Sequence, residues 1–310
     1  MAESLRVGEF AQELLQLAQP IEPFEMPLLD AHGATLANDV FAGDRLVLRA
    51  GSRIRSTQIG LAASIGLDRL PTRPQPRVVV ISAGSDLVEP GSPLQGSDDE
   101  FETNSWLLTT AMKEAGAVAY RVHMIPENET SLKAIVEDQL VRADLVVISG
   151  ESHDDSYPLI TNVLKSIGEI REIDPRIEVS GLHNFGTIGP DKTPVVTLPG
   201  DPIAAYISCE LFIRPMIRQM MGLHDLFRPV QRAILTNSVE SEPGRTSFLR
   251  AQLEGKLEAT LEGNKVTVAN NQGELVGLSD ANCLVVIGED VTSLNAGAEV
   301  DVMMLERRYI

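Results

Sequence analysis

RVVVIS, residues 77–82, decides the fold, because Val78 to Ile81 are apolar without interruption. A strand with one face in water alternates apolar and polar side chains, so a run apolar on both faces belongs in a parallel sheet covered by helices on both sides. The same texture returns in AVAYRVHMI (117–125), DLVVIS (144–149) and PVVTLPG (194–200). Helical patterns at 104–115, 129–142 and 159–167 separate these runs. The β-α-β alternation predicts an α/β, doubly wound domain.

Upstream, residues 9–18 set Phe10, Leu14, Leu15 and Leu17 on or near one helical face, and Pro20 ends the run. That pattern predicts a docking helix. Downstream, a long helix is expected from Pro202 to Met221. Beyond Arg228 the period changes to two, in QRAILT, FLRAQLEG, KVTVAN, CLVVIG and EVDVMML. A C-terminal small β-barrel or sandwich follows from that change. At 310 residues the chain exceeds a single core of roughly 250 residues. The expected division is an N-terminal segment and linker over 1–73, the α/β domain over 74–226 and the β domain over 227–310.

A net charge of −18 excludes nucleic acid as a partner, since phosphate binding needs clustered Lys and Arg. No segment has the apolar length of a membrane span, so no direct membrane insertion is expected. MAESLRVGEF lacks the basic start and apolar run of a secretory signal, which predicts a cytoplasmic protein. Cys209 and Cys283 sit apart in apolar sequence and read as buried free thiols. No histidine pair has helical ligand spacing, so no zinc site is expected. The loop residues Glu151, His153, Asp154 and Asp155 suit either a hard-cation site or a solvated acidic surface, and their spacing matches no dedicated metal motif. No G-x-S-x-G elbow supports a hydrolase.

Several segments together, GATLANDV (33–40), AGSRI (50–54), IGLAASIGLDRLP (59–71), PRVVVISAGSDLVEPGSPL (76–94) with ETNSWLL (102–108), ADLVVISG (143–150), TLPGDPIAA (197–205), PGRTSFLRAQL (243–253) and ANCLVVI (281–287), resemble, in order and register, the molybdopterin molybdenumtransferase (MoeA-type) and gephyrin E-domain family. The resemblance implies a molybdopterin-binding-like α/β domain, a C-terminal β domain and a homodimer. It also implies a ligand pocket outlined by Ser82, Gly84, Asp86, Thr103, Asn104, Ser149, Gly150, Pro199, Gly200 and Asp201, at the carboxyl ends of the strands where open α/β sheets bind ligands. Turn residues that merely hold the fold account for the same set.

The resemblance breaks in four places. The domain inserted in the family between the ANDV-like and AGSRI-like stretches is replaced by FAGDRLVLR (41–49). The family's SGGxSxGxxD loop, whose glycines let backbone approach a phosphate, reads SGESHDDSYP (149–158) here. Glu178 and Gly181 stand where the family has lysines, and the acidic residue of its STGDEL-like loop persists only as Asp86. Added negative charge opposes an anionic ligand by about 1–4 kcal/mol per close pair. The expectation is therefore a catalytically degenerate, non-enzymatic, gephyrin-like adaptor with no cofactor, failing to bind molybdopterin and holding a cytoplasmic partner's peptide. By resemblance that peptide is the C-terminal tail of the division protein FtsZ, and Phe10, Phe248, Ile287 and Gly288 line its groove. The alternative is a molybdopterin molybdenumtransferase of molybdenum cofactor biosynthesis, using molybdopterin and Mg.

Overall fold

The computed structural model describes residues 2–84, 87–97, 99–124, 128–150, 156–178, 180–254, 263–270, 273 and 275–305. Its centre is a seven-stranded sheet in the order Glu3–Ser4, Gly168–Asp174, His183–Ile188, Thr193–Leu198, Leu145–Ser149, Arg77–Ala83 and Val118–Met124. The last four run parallel. His183–Ile188, by contrast, pairs antiparallel with both of its neighbours, so the sheet is mixed rather than parallel throughout. GEIREID (168–174) escaped the sequence reading because four of its seven residues are charged and it buries only Ile173 among its side chains.

The apolar runs serve two cores because successive side chains leave a strand on opposite faces. Val78, Val80, Leu145, Val147, Val196 and Leu198 pack with the helices Val7–Leu17, Asn104–Ala115 and the run beginning at Pro202. Val79, Ile81, Val146, Ile148 and Val195 pack on the other side with Glu129–Leu140 and Ser156–Ile167. The doubly wound expectation holds for this part of the chain.

The helical run from Pro202 to Met220 is continuous but widens to a π turn at Cys209–Ile213. Pro215 has no N–H and would crowd the carbonyl four residues back, and the widened turn precedes it. Glu210 lies buried in that turn and accepts two hydrogen bonds from Arg228, at 2.6 and 3.0 Å.

The residues before about 24 pack with the α/β domain and not with the rest of the expected 1–73 segment. Glu3–Ser4 extends the central sheet, pairing with Ile173 and Asp174. Phe10 and Leu14, fully buried, belong to the α/β core. Only residues from about 24 to 73 form a separate unit, around Met26, Leu36, Leu48, Ile54 and Leu70. Within it Val40–Ala42 and Arg45–Leu48 form a hairpin that turns at Gly43, whose φ of +60° favours glycine. At the other end five strands, Val230–Leu235, Lys265–Val268, Ser247–Glu254, Cys283–Ile287 and Glu299–Met304, close a barrel around Leu235, Leu253, Val266, Val285 and Val302. Of the two expected shapes, the barrel forms. Cys209 and Cys283 are buried free thiols, as expected. Among the described residues no helix is long and apolar enough to cross a membrane.

A candidate ligand site at the carboxyl edge of the sheet

Strands Arg77–Ala83, Leu145–Ser149 and Thr193–Leu198 are neighbours, so their carboxyl ends deliver Ser82–Gly84, Ser149–Gly150 and Pro199–Asp201 to one edge. Asn104, at the start of the helix after the first strand, ties these ends together. Its side-chain amide donates to Ser149 Oγ at 2.8 Å and to the Gly200 carbonyl at 2.6 Å. Ser149 in turn donates to the Pro199 carbonyl at 3.0 Å. Asn104 is 8% exposed, and its Oδ1 has no hydrogen-bond partner among the described residues. A buried, unpaired acceptor costs free energy unless something donates to it.

The glycines of this edge are fixed by close approach. A Cβ on Gly150 would meet Ile160 Cδ1 at 2.9 Å and the Ala83 carbonyl at 3.2 Å, and one on Gly84 would meet Leu87 at 2.8 Å. Asp201 caps the following helix, accepting from Ile203 N at 3.0 Å and Ala204 N at 2.8 Å. Thr103 donates to the Phe101 carbonyl at 3.1 Å, and Ser82 is buried opposite Ser149. Most of the pocket set thus performs a structural task, and Asn104 is the member with spare hydrogen-bonding capacity. Asp86 lies outside the described residues, as do Glu151, His153, Asp154 and Asp155.

Sequence reasoning missed the group behind the edge. Glu102 is buried and accepts from Ser105 N at 2.7 Å and Ser105 Oγ at 2.5 Å. Arg121 donates to Ser105 Oγ at 2.6 Å, pairs with Glu89, stands 3.6 Å from Glu102 and lies over the Trp106 ring at 4.2 Å. The one available signal was Arg121 inside the largely apolar run AVAYRVHMI.

Two further departures are engaged elsewhere. Glu178 accepts from Ser247 of the barrel, and the Gly181 carbonyl faces His183 Nδ1 at 3.1 Å. The predicted peptide groove is not formed. Phe10 is 0% exposed, with its ring 4.7 Å from Phe212, 5.2 Å from Phe185 and 5.8 Å from His183. Phe248 is half-buried against the same core, Ile287 faces the barrel interior, and only Gly288 is exposed. Phe10 faces the core because it shares the buried side of the helix with Ala11 and Leu14.

Two family models match this chain: the probable molybdopterin binding domain over residues 79–219 and the MoeA C-terminal region (domain IV) over 232–305. The chain belongs to the MoeA family. Molybdopterin molybdenumtransferase 2 of Mycobacterium tuberculosis is 35% identical over 85% of this chain and 65% of its own length. Molybdopterin molybdenumtransferase 1 of the same organism is 32% identical over 86% and 63%. The chain thus spans less than two thirds of these MoeA-family relatives. A MoeA protein crystal structure from Pyrococcus horikosii superposes with a TM-score of 0.80 at 20% identity, covering 98% of this chain and 100% of that one, which shows the shared fold.

These relatives correct the adaptor reading. They are named as enzymes and their names carry molybdopterin, against the expectation of a non-enzymatic scaffold without a pterin ligand. For Mg, among the described residues no three His, Cys, Asp or Glu side chains gather to hold a metal ion.

Proposed function

We propose that this chain is a cytoplasmic molybdopterin molybdenumtransferase, acting in molybdenum cofactor biosynthesis with a molybdopterin-class ligand at the carboxyl edge of the sheet. The observation that carries the reading is Asn104: a buried Oδ1 without a partner among the described residues, held in place by its own amide, among strand ends within the stretch matched by the probable molybdopterin binding domain. A pterin presents ring N–H and amino donors that such an acceptor fits. Gly150 is held closely against Ile160 and the Ala83 carbonyl, where a Cβ would crowd both, so the strand end keeps its place beside Asn104. Asn104 orients, and the strand ends and helix start exclude water on the core side. The reading extends to a homodimer, supported by Phe24, Leu29 and Phe41, which are 52%, 85% and 56% exposed on the small unit.

Titration calorimetry with molybdopterin and with its adenylylated form tests the ligand, and molybdate-dependent reconstitution of a molybdenum apoenzyme tests the reaction. The expected result is micromolar binding with reconstitution. Folded protein that neither binds nor reconstitutes would overturn the reading. In sedimentation the expected species has twice the 33.6 kDa chain mass.

A further inference from the structure

After the strand Arg77–Ala83 the chain does not pass directly into its helix. It makes an excursion whose two ends lie side by side: Leu87–Val88 pairs in parallel with Glu100–Phe101, and Glu102 N donates to the Val88 carbonyl at 2.8 Å. Between them Asp99 accepts from the backbone of Gln95 and Gly96, each at 2.7 Å. What closes the base is one side chain from the neighbouring strand. Arg121 pairs with Glu89 where the excursion leaves, and stands 3.6 Å from Glu102 where it returns. Its Nε holds Ser105 Oγ at 2.6 Å, and its guanidinium covers one face of Trp106 at 4.2 Å. A planar fork with five donors can engage all of these at once, which a lysine ammonium cannot.

We propose that Arg121 is a positioning residue: it staples both ends of the 89–102 excursion to the start of helix Asn104–Ala115, and so sets where Asn104 presents its free Oδ1. Arg121 touches no ligand in this role. Asn104 lies between Thr103 and Ser105, so whatever fixes Glu102 and Ser105 fixes Asn104 relative to Ser149 and Gly200. The excursion starts at Gly84, against which the Leu87 side chain packs closely. The consequence for ligand affinity rests on the molybdopterin reading above; the consequence for local order does not.

The test is hydrogen exchange on full-length wild type, Arg121→Gln, Glu89→Gln, the double variant and Arg121→Lys, with molybdopterin titrated into each. In Arg121→Gln the described amides of 87–103 should lose protection about tenfold or more, the scale of losing hydrogen bonds to a charged group, while those of 145–149 keep theirs. The dissociation constant for molybdopterin should rise about tenfold, by the same loss. The double variant should be no worse than Arg121→Gln, because both changes break one network, and Arg121→Lys should recover part of the loss. Unchanged exchange over 87–103 in folded Arg121→Gln overturns the staple, and equal loosening of the central strands reduces it to general stability. A loosened excursion with unaltered affinity refutes the positioning role. If wild type itself binds no molybdopterin, the proposed function fails, and the exchange data alone decide the staple.

Discussion

At the scale of single residues, His183 shows how burial fixes a chemical state. Its ring is fully buried, and burial is the main cause that pushes its pKa down from 6.5 to about 4, against opposing contributions from the Gly181 carbonyl and Asp174. The carbonyl at Nδ1 can only accept, so Nδ1 carries the proton and Nε2 accepts from Ser208 Oγ at 3.1 Å. Because the folded pKa lies below the unfolded one, the unfolded chain takes up the proton first as pH falls. The stability is therefore fully present above pH 6.5 and is lost progressively down to about pH 4. The loss reaches about 3 kcal/mol at roughly 1.4 kcal/mol per pKa unit. Denaturant unfolding across that window should show the decline, and His183→Gln should flatten it; an equal slope in the variant would remove His183 as its source. None of this was legible in the sequence, where His183 is one of five scattered histidines. The same holds for Phe10, whose helix was readable but whose seat among Phe185, His183 and Phe212 depends on residues far along the chain.

At the scale of elements, legibility follows burial. The helices predicted at 104–115, 129–142 and 159–167 occur at Asn104–Ala115, Glu129–Leu140 and Ser156–Ile167. Strands buried on both faces announce themselves by composition, whereas Gly168–Asp174, with four charged residues of seven, does not. That strand depends on a backbone contact. A Cβ at Gly186 would meet the Glu169 carbonyl at 1.9 Å, a separation no side chain tolerates. Gly186→Ala should therefore force the two strands apart and cost about 3 kcal/mol or more, the upper range for a single substitution. Chemical denaturation would measure it, and a cost under about 1 kcal/mol, the ordinary value for a point change, would show that the hairpin yields easily. Glycines whose Cβ would meet nothing, such as Gly60 and Gly273, should tolerate alanine.

At the scale of the whole molecule, the barrel is latched to the sheet by a short polar seam. Arg245 grips Asp174 with two hydrogen bonds, at 2.9 and 2.8 Å, and also donates to the Ile177 carbonyl at 3.1 Å. Ile177 and Thr246 form a backbone bridge beside it, and Ser247 donates to Glu178. Burial raises the Asp174 carboxyl, but the Arg245 hydrogen bond, the Arg176 N–H and the Arg245 charge together outweigh it and hold the pKa below its ordinary 3.8. The latch is thus intact at neutral pH and weakens only as pH falls through that lowered value. Arg245→Ala should cost about 1–3 kcal/mol, as for lost hydrogen bonds between charged groups. It should also speed proteolytic cleavage between the helical run and the barrel, near residues 222–229. Unchanged cleavage would show that the apolar contacts of Phe248 and Leu284 suffice. The resemblance to the family gave the unit order correctly, but it placed Glu178 by its lost lysine and could not show the serine that now receives it.

The placement of the helix Val7–Leu17 has a consequence for the chain during its synthesis. Its ring contacts, the ladder of the preceding strand Glu3–Ser4 and the bonds to the residues just after it lie at residues 173–220, including Gln219 donating to the Ala18 carbonyl at 3.0 Å and Met220 accepting from Ile21 N at 2.8 Å. This segment therefore emerges from the ribosome long before its seat exists, and contacts so distant in sequence close slowly. Until the run ending at Met220 has been translated, the apolar face of Phe10, Ala11 and Leu14 is only partly covered by its own chain, through His183 and Phe185 without Phe212. The nascent protein should be a chaperone client over that interval, and release from the chaperone should follow the appearance of residue 220 rather than completion of the barrel.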